Sequence, residues 1–168
     1  MPSFAQEKPK KCQLATTDSK KLIGTIKLNE QETIEIIGKA TYTVTALNSD
    51  ESLVGTLFFA LADAERQKIA QAMNKELSDV PIIIREHEAI GQFHKLTECP
   101  RLQFDFPAMD LEIAGAKMQL KPFILNLKKD DDLPTFVLCK RAWRIASGLD
   151  RRADGRRLNR ILNCTEEN

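Results

Sequence analysis

TIEIIGKATYTVT, residues 33–45, is the stretch that decides the predicted fold. Its two halves, Thr33–Ile37 and Ala40–Val44, are rich in β-branched residues, and Gly38-Lys39 separates them. Threonine, tyrosine, valine and isoleucine favour strands. A two-residue loop with glycine first is typical of a type II′ turn. The pattern therefore predicts a β-hairpin at the centre of the fold.

Further strand patterns lie on both sides of this hairpin. They are short, they alternate apolar with polar residues, and turn residues rather than helices separate most of them. This order predicts a mainly antiparallel sheet or a small β-barrel built from sequential hairpins. The clearest of these patterns are Leu22–Leu28, Leu53–Leu61, Leu102–Phe106, Met109–Ile113 and Lys117–Leu120.

Two regions have helical patterns. Asp63 suits an N-cap, and apolar residues at four-residue spacing follow it to about Leu77. From Lys140 onward the chain reads as two helices with Gly148 as the break. We therefore expect an α+β fold with a mid-chain helix and a C-terminal helical pair.

The polar, lysine-bearing residues 1–20 predict a flexible tail, residues 21–163 a single domain with arginine-rich helices over 140–163, and residues 164–168 a second tail. No apolar run approaches the length of about 20 residues that a membrane helix needs. Four cysteines at wide, irregular spacing indicate free thiols rather than a zinc site. We expect a soluble, cytoplasmic protein without a cofactor and without a membrane partner.

Charge is distributed unevenly along the chain. The net charge of the 168 residues is only +1, yet residues 140–160 hold eight basic and two acidic side chains. Residues 22–139 hold twelve basic and eighteen acidic side chains. A solvated helix face would explain the basic segment. A run of arginines, however, is better suited to phosphate or carboxylate recognition, because the guanidinium is a planar fork of donors.

The basic segment has a helical repeat. Arg152, Arg156 and Arg160 recur every four residues, which would align them as a stripe on one side of a helix. Such a stripe suits phosphate contacts along a nucleic-acid backbone. The sequence therefore predicts a non-catalytic binding module for an anionic partner, nucleic acid first and an acidic protein second. The predicted contact residues are Lys140, Arg141, Arg144, Arg151, Arg152, Arg156, Arg157 and Arg160.

Two short motifs resemble those of PilZ domains. Asp50-Glu51-Ser52-Leu53-Val54-Gly55 matches the pattern D/N-x-S-x-x-G, and Arg152-Ala153-Asp154-Gly155-Arg156 matches R-x-x-x-R. In that family both motifs bind cyclic di-GMP on a small β-barrel, so the resemblance implies a cyclic-dinucleotide receptor. The arginine motif precedes the barrel in the family, whereas here it lies at the far end of the chain.

Signals for catalysis are weaker. His87 and His94 are the only histidines, and acidic residues flank them. They lie in Arg85–Thr97, whose pattern fits either a helix or a strand. A helix would bring both histidines to one side and make a metal site conceivable, but two surface histidines on an amphipathic segment explain the spacing better. No glycine-rich phosphate loop and no G-x-S-x-G motif is present. The sequence favours a binding protein over an enzyme.

Overall fold

A computed structural model describes residues 16–47, 52–94 and 103–127. They form eight strands, one α-helix and one short 3-10 helix, Leu77–Asp79. The elements in chain order are β1 Lys20–Lys27, β2 Thr33–Leu47, β3 Leu53–Leu61, α1 Asp63–Ala72, β4 Ile83–Phe93, β5 Gln103–Phe106, β6 Met109–Ile113, β7 Ala116–Leu120 and β8 Phe123–Asn126.

All eight strands belong to one antiparallel sheet in the order β6-β7-β1-β2-β3-β4-β5-β8. The sheet curls, because Thr17, just before β1, forms a bridge with Leu127, just after β8. The amide of Asp18 also donates to the carbonyl of Asn126 at 2.8 Å. Strands account for 63% of the described residues against a single α-helix, so the predicted α+β class is wrong and the described chain is mainly β. The predicted helical pair over 140–163 lies outside the described residues.

The predicted hairpin at Gly38-Lys39 is wrong. β2 runs without interruption through both residues, with β1 along its first part and β3 along its second. Gly38 faces the interior, where an added Cβ would lie inside contact distance of the Phe59 ring. A glycine in a strand often marks such a close approach rather than a turn. Here it makes room for a buried aromatic ring.

The turn that reverses the chain is Leu28–Glu32. The side-chain oxygen of Asn29 accepts hydrogen bonds from the amides of Gln31 and Glu32, both at 2.8 Å. The amide of Leu28 donates to the carbonyl of Glu32 at 2.9 Å. An asparagine that bonds the backbone just ahead of itself stabilises a tight turn. This turn sets the register of β1 against β2.

The mid-chain helix is shorter than predicted. It ends at Ala72, and Asn74 then takes a positive φ of 52°. Asparagine tolerates that conformation and commonly ends helices. The predicted N-cap is also wrong: Asp63 is the first helical residue, and Ala62 precedes it without a side-chain cap. The carboxylate of Asp63 instead pairs with Arg66 at 2.9 Å.

α1 closes a free stretch of sheet edge. β3 pairs with β2 only from Gly38 onward, which leaves the backbone before Gly38 without a strand on that side. Glu65 accepts from the amide of Ile37 at 3.1 Å, and Lys68 donates to the carbonyl of Glu35 at 3.2 Å. These side chains stand in for the missing strand and block an edge that could otherwise pair with another chain.

The interior is one continuous apolar face. Alternate residues of each strand point into it, and Ile69 and Ala70 of α1 complete it. At one end Tyr42 contacts Phe104 and Phe106 edge-on, and its hydroxyl donates to the carbonyl of Ala89 at 2.7 Å. Within the described ranges no helix is long and apolar enough to cross a membrane. The outer face of the sheet carries the polar residues, and with them the candidate site.

Candidate functional site

All eight residues of the predicted arginine-rich site, from Lys140 to Arg160, lie outside the described residues. Their contact role therefore stays a prediction. A second group of cations lies within the described sheet. It occupies the outer surface of β1, β2, β3 and β4, where alternate side chains point away from the core.

The outer surface of these four strands combines cations with exposed apolar side chains. Neighbouring strands bring them into adjacent rows, and the strand register shows which residues lie opposite each other. We call this surface the β1–β4 face. It consists of the cations Lys21, Lys39 and Arg85, the isoleucines Ile23, Ile37 and Ile83, and Phe58.

Two lysines of the β1–β4 face lie directly opposite each other. Lys21 on β1 is the register partner of Lys39 on β2, and both side chains are exposed. Among the described residues neither makes an ion pair. Like charges placed opposite each other on antiparallel strands destabilise a sheet by roughly 0.2–1 kcal/mol. This pair therefore costs stability when no anion is bound, and an anion between the two ammonium groups would remove the cost.

Arg85 adds a third positive charge beside an aromatic ring. It lies opposite Phe58, and its guanidinium carbon is 5.9 Å from the centre of the Phe58 ring. Such a contact is a weak cation–π interaction at an exposed site. It keeps the guanidinium of exposed Arg85 close to the sheet surface. No carboxylate of the described chain forms an ion pair with Arg85.

The β1–β4 face also exposes large apolar side chains. Ile23 and Ile37 are register partners and are 56% and 46% exposed, and Ile83 is 38% exposed. Single exposed apolar residues are ordinary, but a contiguous group marks an interaction surface. Acidic side chains flank this group: Glu35 is one row beyond Ile37, Glu65 is already hydrogen-bonded to the Ile37 amide, and Glu86 and Glu88 follow Arg85 on β4. The centre of the face is thus cationic and apolar together.

Sequence reasoning missed this face, although part of its signal was present. The alternation of inward and outward residues places Lys39 outside and Ala40 inside once β2 is recognised as one strand. Because a hairpin was predicted at Gly38-Lys39, Lys39 was assigned to a turn and its place in the alternation of β2 was not recognised. Lys21 and Lys39 are eighteen positions apart. Only the register of β1 against β2 brings them together.

The described part of the PilZ-like motif lies where β3 begins. Ser52 is buried, with 5% of its surface exposed, and Gly55 faces the interior. A Cβ on Gly55 would clash with the carbonyl oxygen of Thr43 and lie 2.8 Å from a ring carbon of Tyr42. The glycine therefore has a packing role. Asp50, Glu51 and the arginine motif lie outside the described residues.

The two histidines do not share a site. Both lie on β4 or at its end, because this segment is a strand and not a helix. At about 3.3 Å per residue, seven positions separate them by roughly 20 Å, too far for one metal ion. Among the described residues no three His, Cys, Asp or Glu side chains group closely enough to hold a metal.

His94 has one defined side-chain partner. Its Nδ1 lies 2.7 Å from Oδ1 of Asp105, and its backbone amide donates to the carbonyl of Gln103 at 2.9 Å. A carboxylate on Nδ1 fixes the orientation of an imidazole. A catalytic arrangement would also need a nucleophile on the other ring nitrogen, and no described residue donates to it. The pair fastens the end of β4 to β5.

Comparison with known proteins adds no relative: no protein-family model, no curated protein and no solved structure matches the chain.

Proposed function

We propose that this protein is a non-catalytic binding module for an anionic partner, and that the partner is nucleic acid. The observation that carries the proposal is the β1–β4 face, where Lys21, Lys39 and Arg85 lie together without a carboxylate partner among the described residues. The basic segment 140–160 supports it with eight further cations. The acidic remainder of the chain would keep such a partner at these two surfaces.

A bound phosphate would offset the repulsion between Lys21 and Lys39 on this face. Each lysine that neutralises a phosphate releases a condensed counterion, so binding strengthens as the salt concentration falls. Contacts of this kind hold the backbone and carry no sequence information. We therefore expect affinity for many sequences with little discrimination among them. The widely spaced cysteines suit a reducing compartment, so we place this activity in the cytoplasm.

Fluorescence anisotropy with labelled DNA and RNA at two salt concentrations tests the proposal. Wild-type protein should bind at low salt and weaken as salt rises. The double variant Lys21→Ala/Lys39→Ala should lose about tenfold in affinity, and the triple variant Arg152→Ala/Arg156→Ala/Arg160→Ala at least as much. Lys75→Ala/Lys121→Ala, which removes the same charge from positions outside the strands of the face, is the matched control and should bind nearly normally.

Two results would contradict the proposal. One is the absence of binding to any polymer at low salt. The other is an equal loss of affinity in the matched control, which would mean that only net charge matters. Co-purification of an acidic protein, together with no nucleic-acid binding, would favour the alternative of a protein adaptor.

A cyclic-dinucleotide receptor is the second candidate function. It rests on the sequence match to the two PilZ motifs, and Ser52 and Gly55 of the first motif lie where β3 begins. Cyclic di-GMP should then raise the melting temperature in a saturable manner. Because Ser52 is buried, the variant Arg152→Ala/Arg156→Ala is the cleaner test. It should abolish the shift, and a shift that survives would exclude the arginine motif.

A further inference from the structure

We infer that the β1–β4 face takes nucleic acid as a single strand rather than as a duplex. The inference rests on the proposed function, and it names the form of the partner. It depends on the mixture of charge and apolar surface on one face. A purely cationic surface would serve either form.

The exposed isoleucines distinguish the two forms. A duplex keeps its bases stacked inside and offers phosphates to the protein surface, so it would leave Ile23, Ile37 and Ile83 against charged groups or water. A single strand can turn its unstacked bases towards the protein while its phosphates meet the flanking cations. Those bases would cover the isoleucines, which are between 38% and 56% exposed in the free protein.

Phe58 and Arg85 provide the place where a base can stack. Bases stack on aromatic rings and on guanidinium planes regardless of sequence. Here the guanidinium carbon of Arg85 lies 5.9 Å from the centre of the Phe58 ring, so both kinds of stacking surface are adjacent. Lys39 lies on the neighbouring strand, one row away. A phosphate at Lys39 and a base at Phe58 or Arg85 would belong to the same or the next nucleotide.

The size of the face fits a short run of nucleotides. Four strands at a spacing of roughly 4.8 Å span about 14 Å between the outer strands. Single-strand sites on comparable small β folds hold about 4–16 nucleotides. Because the sheet curls, its outer surface is convex, and a flexible single strand can follow that curvature.

The test compares full-length protein on a labelled single-stranded 12-mer and on the duplex of the same sequence. Wild type should bind the single strand about tenfold more tightly. Phe58→Leu, which keeps an apolar side chain without a ring, should weaken single-strand binding about tenfold and leave duplex binding unchanged. Ile23→Ser/Ile37→Ser should act in the same direction. Ile82→Ser changes an isoleucine that is 60% exposed but precedes β4 and lies outside the face, and should bind normally.

The outcomes separate this inference from the proposed function. Equal binding of both forms, unaffected by Phe58→Leu, would overturn the single-strand inference and leave the proposed function standing. Binding of neither form would overturn both. Binding of a synthetic acidic amphipathic peptide in place of nucleic acid would also overturn both and identify a protein partner. Circular dichroism and melting temperatures of each variant confirm that a loss of binding is not a loss of folding.

Discussion

Replacing Gly55 with alanine should destabilise this protein strongly, because the space for a side chain at this position is already occupied. Gly55 lies on the inner face of β3, under the ring of Tyr42. An added Cβ would lie inside contact distance of the Thr43 carbonyl oxygen and 2.8 and 2.9 Å from two atoms of Tyr42. The Tyr42 ring is fully buried and its hydroxyl is hydrogen-bonded to the Ala89 carbonyl. Neither neighbour can move away freely.

The size of the effect follows from these contacts. Inserting one methyl group into a packed core costs about 1–3 kcal/mol. Since one neighbour is backbone and the other is a fastened ring, we expect about 3 kcal/mol here. For a chain of this length each kcal/mol lowers the melting temperature by roughly 2–4 °C, so the expected loss is about 10 °C.

Thermal unfolding followed by circular dichroism measures this effect, with Gly115→Ala as the control. Gly115 has a positive φ of 86°, and an added Cβ there would meet only the Lys75 ammonium group at 3.5 Å. That change should cost only about 1 kcal/mol, through backbone strain alone. If Gly55→Ala melts no lower than Gly115→Ala, the close packing of β3 against Tyr42 is refuted.

Three further changes test the fold and the face. Tyr42 is the only tyrosine, and burial raises its pKa above the usual value near 10. Folding stability that is present below pH 10 should therefore be lost as the pH rises further, and tyrosinate absorbance should appear only with unfolding. Ionisation of Tyr42 in the folded protein would refute this. Arg66→Ala should lower the free energy of unfolding, measured with urea, by about 2 kcal/mol, because the Arg66 guanidinium donates to the carbonyl of buried Val80 at 2.8 Å. Full rescue by Arg66→Lys would contradict a role for the planar guanidinium. Lys39→Thr should stabilise the sheet by roughly 0.2–1 kcal/mol, since it removes the repulsion between Lys39 and Lys21, and it should weaken nucleic-acid binding. A lower stability of this variant would argue against that repulsion.

Local sequence patterns predicted several elements correctly. The strands Met109–Ile113 and Leu53–Leu61 are confirmed with the predicted bounds, and the turn between β6 and β7 lies at Ala114-Gly115. In each case a period-two alternation, with an apolar side facing one core, is sufficient to specify a strand. The same pattern predicted antiparallel order, because turns rather than helices connect most strands.

Two regions could not be predicted correctly because their structure depends on contacts between residues that are distant in sequence. Gly38 looks like a turn residue until Phe59, twenty-one positions later, is found to occupy the space of its missing side chain. Arg85–Thr97 was ambiguous because a bulge at Glu88, with a positive φ of 58°, interrupts its alternation. Both features satisfy packing between strands, and packing partners are not adjacent in sequence.

Composition and periodicity, then, determined that this chain forms an antiparallel sheet and that its basic residues are concentrated towards its C-terminal end. Only the tertiary structure decided that Lys21, Lys39 and Arg85 share one surface with exposed isoleucines and Phe58. The physical reason is register. A strand pattern specifies which side chains face outward, but hydrogen bonding between strands decides which of them become neighbours.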